Sequence, residues 1–191
     1  IVYSISNWYL NNVLFDYDKN KKRFLYLYNR MTQAFKLTAI NVVRELKVSK
    51  FKPKELEFKI EDLVFDIKGG FSCQVTGIVD RIDVFKDYIK IVDYKTGGTD
   101  FSYDDIYNGL SLQLPLYALA VKSQDRYKDK QIAALVYQRA GVPKIDYLKL
   151  KDNTENEYVK AVDKYYARDG VFLSDQEVLY SLEADNNGRF I

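Results

Sequence analysis

Asp80, Asp93 and Lys95 are the residues whose types and spacing can do chemistry in this chain. Asp80 stands in the run Gly77-Ile78-Val79-Asp80-Arg81-Ile82-Asp83, and the other two in Ile91-Val92-Asp93-Tyr94-Lys95-Thr96. Apolar and polar residues alternate through Gln74 to Phe85 and again through Tyr88 to Lys95, the period of strands with one packed face. Lys86 and Asp87 supply the turn between them. Asp80 and Ile82 then share a face, Arg81 and Asp83 point the other way, and Ile91, Asp93 and Lys95 share a face of the second strand. A register that sets Asp80 beside Asp93 brings both carboxylates and the ammonium together.

Carboxylates held close repel, and one pKa rises unless a cation intervenes. Mg²⁺ takes one or two carboxylates together with substrate phosphate oxygens and keeps several waters. It lowers the pKa of a bound water, polarises a phosphate and stabilises a leaving oxygen. Lys95 would orient the attacking water or neutralise charge developing on the phosphate. The chemistry expected is metal-assisted hydrolysis of a phosphodiester. The plainer reading is a hairpin whose Asp93 and Lys95 form a surface salt bridge.

The elements that must position these residues are legible around them. Phe24, Leu25, Tyr28, Met31, Phe35, Leu37, Ile40, Val43 and Leu46 recur at helical spacing, which predicts a long helix over 21–46 with a broad buried stripe. A strand follows at 55–60, then the hairpin. Ser102 with Asp105 forms a shortened capping box and starts a helix running towards Lys122, kinked or broken by Pro115. Gln131 to Arg139 is an apolar strand with a partner at 144–149, and 155–167 is a helix. Gly97 and Gly98 permit a tight loop beside the site. No Gly-x-x-x-x-Gly-Lys-Ser/Thr run is present, so no phosphate-cradling loop of that type is expected.

The ordered set of Gly-x-x-Asp-Arg-Ile-Asp, Ile-Val-Asp-Tyr-Lys-Thr-Gly and Gln113-Leu114-Pro115-Leu116-Tyr117 resembles the RecB-like branch of the PD-(D/E)XK nuclease superfamily. Within that branch, Ser49 to Pro53 leading into Glu55-Leu56-Glu57-Phe58, and Gly170 to Asp175, are similar to stretches of the AddB family of helicase-nuclease subunits. The resemblance covers about Phe15 to Asp185 and implies an α/β, restriction-endonuclease-like fold with a mixed central β-sheet flanked by helices. It implies one nuclease domain over 1–191, with a helical N-terminal part at 1–50, the catalytic core at 51–150 and a helical C-terminal part at 151–191.

Residue by residue, the resemblance makes Asp80 and Asp93 metal ligands, with the backbone carbonyl of Tyr94 beside them, and Lys95 the catalytic lysine. Gln113 and Tyr117 match a Gln-x-x-x-Tyr motif that holds DNA and positions the lysine; residues at that spacing share a helix face. Glu55 takes an accessory role in preference to Glu57. The implied cofactor is Mg²⁺, with Mn²⁺ as a substitute, and the implied partners are DNA and a helicase-nuclease partner subunit. RecB-like nucleases also draw a histidine ligand from an upstream helix, whereas this chain has no histidine. Either the ligand is replaced or a longer polypeptide continues before Ile1, and the opening on Ile rather than Met favours the second. The AddB family carries an iron-sulfur cluster on four cysteines; Cys73 is the single cysteine here, so no such cluster is expected within this chain. Other readings are a stand-alone or Cas4-like exonuclease and a non-catalytic DNA-binding or subunit-docking module.

Composition sets limits. With 191 residues and 47% hydrophobic content the chain can bury a single core. One cysteine excludes a disulfide framework and no apolar run reaches a membrane span, so a cytoplasmic protein without membrane association is expected. The net charge of +2 is modest, which leaves DNA affinity to local clusters at Lys19, Lys21, Lys22 and Arg23 and at Lys47, Lys50, Lys52 and Lys54. Cys73 is expected as a small buried hydrophobe, most of the aromatic residues are expected in the core, and the Tyr94 ring is expected to pack on the strand face opposite Asp93.

Overall fold

A computed structural model describes residues 2–12, 22–98, 100–145 and 155–183. The order is α1 (Val2–Asn12), α2 (Lys22–Val48), β1 (Lys52–Ile67), β2 (Phe71–Phe85), β3 (Tyr88–Lys95), α3 (Tyr103–Tyr107), α4 (Gln113–Lys122), β4 (Gln131–Arg139), α5 (Glu155–Tyr166), β5 (Asp169–Phe172) and α6 (Gln176–Leu182). The strands form one sheet in the order β1-β2-β3-β4-β5. The β3–β4 pair is parallel and the other pairs are antiparallel. Parallel neighbours need a crossover, and α3 and α4 provide it. Among the described residues no helix is long and apolar enough to cross a membrane.

Two cores lie on opposite faces of the sheet. On one, Leu114, Tyr117, Ala120 and Val121 of α4 pack with Val79, Ile82, Ile89 and Ile91. On the other, Val178 and Leu182 of α6 pack with Phe51, Val92 and Val136. β3 is therefore covered on both sides, and Ile89 to Asp93 are all buried. Coverage on both faces is what parallel pairing requires.

The hairpin, the Gln131–Arg139 strand and the long helix lie where the sequence predicts them, and the strand expected at 55–60 lengthens to the whole of β1. The helix expected to run from Ser102 to Lys122 is broken. Ser102 caps α3, its hydroxyl accepting from Asp105 N–H at 3.1 Å, and α4 starts afresh with Pro115 as its third residue. A first-turn proline forfeits no helical hydrogen bond, because that N–H has no partner in any helix.

Several expectations are corrected. The apolar stripe of α2 is not its buried face: Met31 is 71% exposed, Phe35 53% and Val43 53%, while Thr32, Asn41 and Glu45 are buried. The sheet surface under α2 presents Arg81, Asp83 and Lys90, so polar partners win the contact. Cys73 is exposed, because it lies opposite Phe65 near the tip of the β1–β2 hairpin, where no helix reaches. Of the aromatic residues, many lie outside the core, among them Trp8, Tyr26, Phe71, Tyr103 and Tyr107.

Of the strand expected at 144–149, Lys144 and Ile145 are irregular and 146–149 lie outside the described residues. Among the described residues β4 pairs with β3 and with β5, the latter inside the part expected to be helical. Gly170 permits this. A Cβ there would lie 2.0 Å from the Leu135 carbonyl oxygen, a backbone atom that cannot rotate away. Gly170→Ala is expected to cost about 3 kcal/mol or more, seen as a lowered urea midpoint with the slope unchanged. A midpoint equal to that of the unmodified chain would show that the edge pairing is different.

Candidate active site

β2 pairs with β3 as Arg81 with Val92 and Ile82 with Ile91, and one further step of that register sets Asp80 across from Asp93. The approach is visible in hydrogen bonding, since Tyr94 N–H donates to Asp80 Oδ2 at 2.7 Å. Lys95, next but one to Asp93 and on the same face, places Nζ 2.6 Å from Asp93 Oδ2 and 5.0 Å from the centre of the Tyr137 ring. The pairing of Asp93 with Lys95 is that of the plainer reading, but Asp93 is 3% exposed, so this is no surface salt bridge.

Gln113 opens α4 and reaches into this group with both ends of its amide. Its Nε2 donates to Asp93 Oδ1 at 2.8 Å and to the Tyr117 hydroxyl at 2.8 Å, and its Oε1 accepts from Lys95 Nζ at 2.5 Å. The amide has two N–H donors, and both are used. The one-turn separation of Gln113 and Tyr117 thus does what helical geometry predicts.

Electrostatics mark the same spot. Burial pushes the Asp93 carboxyl above the usual carboxylate range and the Asp80 charge adds to this, while Lys95 opposes both. Asp93 Oδ2 is buried, with the Lys95 ammonium 2.6 Å away. A buried carboxylate facing a second carboxylate suits a hard divalent cation. Among the described residues no cluster of three or more acidic, cysteine or histidine side chains accompanies them. A pair of carboxylates is within what Mg²⁺ uses, since it keeps waters and takes substrate phosphate oxygens.

The structure brings together Asp80, Asp93, Lys95, Gln113 and Tyr117. Tyr94 lies where expected: its ring is on the far face and its hydroxyl accepts from Arg81 at 2.6 Å. Glu55 is not brought to the group. Its carboxylate accepts from Arg126 at 2.6 Å and from the Tyr127 hydroxyl at 3.1 Å, and burial together with Glu55 pushes the Tyr127 phenol up to about 12. Of the basic clusters, Lys19 and Lys21 lie outside the described residues, and Lys52 is occupied by the carbonyls of Leu46 and Ser49 at the end of α2.

Sequence reasoning missed what lies beneath the site. Glu45 of α2 meets Arg81 at 3.1 Å, Lys90 at 2.7 Å and Arg168 at 2.7 Å, and Asp83 meets Arg81 at 2.9 Å and Lys90 at 3.0 Å. A signal exists for it: Asp83 and Lys90 are opposite charges directly across the hairpin, on a face that polarity alone makes look solvated.

The family model of the PD-(D/E)XK nuclease superfamily matches residues 9–186. The chain is 31% identical over 181 residues to a protein of Clostridium novyi that is named as the B subunit of an ATP-dependent helicase/deoxyribonuclease, covering 87% of this chain and 16% of that one. It is 32% identical over 184 residues to the protein of the same name in Thermoanaerobacter sp. (strain X514), covering 89% and 16%, and 31% identical over 145 residues to that of Streptococcus suis, covering 74% and 13%. The chain therefore spans about a sixth or less of the length of these relatives. The mixed sheet between helices is the restriction-endonuclease-like arrangement consistent with the family match.

Proposed function

The chain belongs to the PD-(D/E)XK nuclease superfamily, and from that membership we propose that it is a Mg²⁺-dependent deoxyribonuclease domain, an exonuclease, that hydrolyses DNA phosphodiesters with Mn²⁺ as a substitute metal. The observation that supports this most is the closed group of Asp80, Asp93, Lys95, Gln113 and Tyr117 on one face of β2, β3 and α4. Asp80 and Asp93, with the Tyr94 carbonyl, would hold the cation. When bound, it supplies Lewis-acid polarisation of the phosphate and a water of lowered pKa.

The chain's own residues do the rest. Lys95 donates from its ammonium to a phosphate oxygen, on which negative charge grows as the water oxygen bonds to phosphorus and the bond to the leaving sugar oxygen breaks. Gln113 keeps that ammonium beside Asp93, and Tyr117 fixes the Gln113 amide so that its oxygen faces Lys95. In a helicase-nuclease assembly, such a domain would trim a strand unwound by a motor during double-strand-break repair and recombination. The names borne by the relatives support the helicase-nuclease assembly.

Digestion of 5′- and 3′-end-labelled single-stranded and duplex DNA with Mg²⁺, with Mn²⁺ and with EDTA tests the proposal. Metal-dependent shortening supports it and its polarity reads out the direction; intact DNA under every condition overturns it. Gln113→Leu, which keeps the volume but removes the amide, is expected to lower kcat about tenfold with KM little changed, because Lys95 loses its orientation and DNA loses no contact. A change in KM alone would assign Gln113 to binding instead.

A further inference from the structure

A cavity of about 640 Å³ opens at the carboxyl ends of the parallel strands β3 and β4. Its wall begins at Thr96, the residue after Lys95, and Ala140 N–H on that wall donates to the Lys95 carbonyl at 2.8 Å. Crevices at the carboxyl ends of parallel strands are where open α/β sheets take ligands. Arg30, Arg139, Lys144, Tyr165, Gly97 and Gly98 line this one.

The lining has three kinds of surface. Arg30 and Lys144 are exposed and carry no ion-pair partner among the described residues. Arg139 lies with its guanidinium carbon over the Tyr165 ring, 5.5 Å from its centre, and is anchored by Asp100 at 2.6 Å, so that guanidinium and ring are stacked on one another. Leu27 and Met31 of α2 add an apolar side. The Tyr165 wall is tightly fitted: a Cβ on Gly141 would lie 2.7 Å from the Tyr165 hydroxyl, and the Tyr166 hydroxyl donates to the Gly141 carbonyl at 2.6 Å.

We infer that this cavity is a subsite for one unpaired nucleotide of single-stranded DNA at the carboxyl ends of β3 and β4, with its base against the Arg139–Tyr165 stack and its phosphate on Arg30 and Lys144. The inference rests on the nuclease reading for its substrate class and refines it. Aromatic rings and guanidinium planes stack unpaired bases irrespective of sequence, and lone cations neutralise phosphates. A pocket of this size suits a ligand of nucleotide dimensions. A base still paired and stacked in a duplex has no bare face to offer to it.

The test uses the full chain without divalent metal, with EDTA present, so that binding is read independently of cleavage. Fluorescence anisotropy of labelled oligo-dT and of a blunt duplex is followed across a salt series. Arg30→Ala combined with Lys144→Ala is expected to weaken oligo-dT about tenfold and to flatten the slope of log K against log salt by about 0.7, the contribution of the one single-strand phosphate they neutralise. Tyr165→Leu is expected to weaken oligo-dT about tenfold with the slope unchanged. Duplex affinity should stay put in both, and Lys128→Ala should change nothing.

Should Tyr165→Leu lower the thermal midpoint, the exposed pair of Arg30 and Lys144 still decides the matter. Unchanged oligo-dT binding, or an equal loss on duplex, overturns the subsite. A chain that cuts DNA yet ignores these substitutions sinks the subsite alone, whereas one that binds oligo-dT through them yet never cuts sinks the nuclease reading alone.

Discussion

Lys95→Ala is expected to lower single-turnover cleavage of labelled DNA by about 10²–10³-fold, and Asp93→Asn at least as far. The two losses have different causes, and stability separates them. Burial and Asp80 raise the Asp93 pKa, with Lys95 opposing. A carboxyl whose folded pKa lies above its unfolded value contributes stability that is fully present below the unfolded value and lost as pH rises through the folded one. At neutral pH the ionised Asp93 is therefore a liability to the metal-free fold. Asp93→Asn removes it, keeps an acceptor for Gln113, and should match or exceed the unmodified chain in thermal midpoint without metal.

Adding Mn²⁺ should raise the midpoint of the unmodified chain, because a cation that binds only the folded state stabilises it by mass action. The same addition should leave Asp93→Asn unmoved. Lys95→Ala should still respond, since it retains both carboxylates while losing the ammonium that we propose meets the phosphate. A Mn²⁺-induced rise that survives in Asp93→Asn would place the cation elsewhere.

What the sequence reveals of the site and what it conceals follow from the range of the interactions. Asp80 comes to face Asp93 because a two-residue turn at Lys86 and Asp87 and a period of two leave the hairpin little freedom. Gln113 and Tyr117 come together because one helical turn separates them. Both relations are local, and both are legible. The burial of α2 is not local. Its periodicity is helical, but which stripe turns inward depends on what waits there, and the sheet offers Arg81, Asp83 and Lys90 rather than an apolar surface.

Cys73 shows the same limit from the other side. Alternation tells which residues share a face but not whether anything covers it, and the β1–β2 hairpin outruns its helices. β5 spans only four residues, too few for a period to register. Glu55 follows a register shift between Pro53 and Glu55, an irregularity that no pattern of alternation announces, and its partners Arg126 and Tyr127 lie some seventy residues along the chain.

The charges beneath the site set the second large effect. Glu45→Gln should destabilise the fold by about 3–5 kcal/mol, a large share of the roughly 5–15 kcal/mol that holds an ordinary domain together. Burial alone would raise the Glu45 pKa, yet Lys90, Arg168 and Arg81 together hold it well below the usual carboxylate range. A neutral amide in its place leaves three buried cations, Arg81, Lys90 and Arg168, with Asp83 as the carboxylate shared by the first two. Such a group, with its folded pKa depressed, contributes stability above its unfolded pKa and loses it only as pH falls through the folded value.

The unmodified chain should therefore keep the Glu45 contribution down through the ordinary carboxylate range, and the deficit of Glu45→Gln in urea midpoint should persist across that range. Glu177→Gln is the contrast. It removes the partner of Lys86 in a pair whose side chains are both 60% exposed, where solvent screens the attraction, and no measurable shift is expected. Because Arg81 also holds the hydroxyl of Tyr94, the residue between Asp93 and Lys95, the loss of Glu45 should reach the part of β3 that carries Asp93. Weakened Mn²⁺ stabilisation in Glu45→Gln, measured at a temperature where the variant is still folded, would show that coupling, and undiminished Mn²⁺ stabilisation would confine Glu45 to holding α2, β2, β3 and Arg168 together.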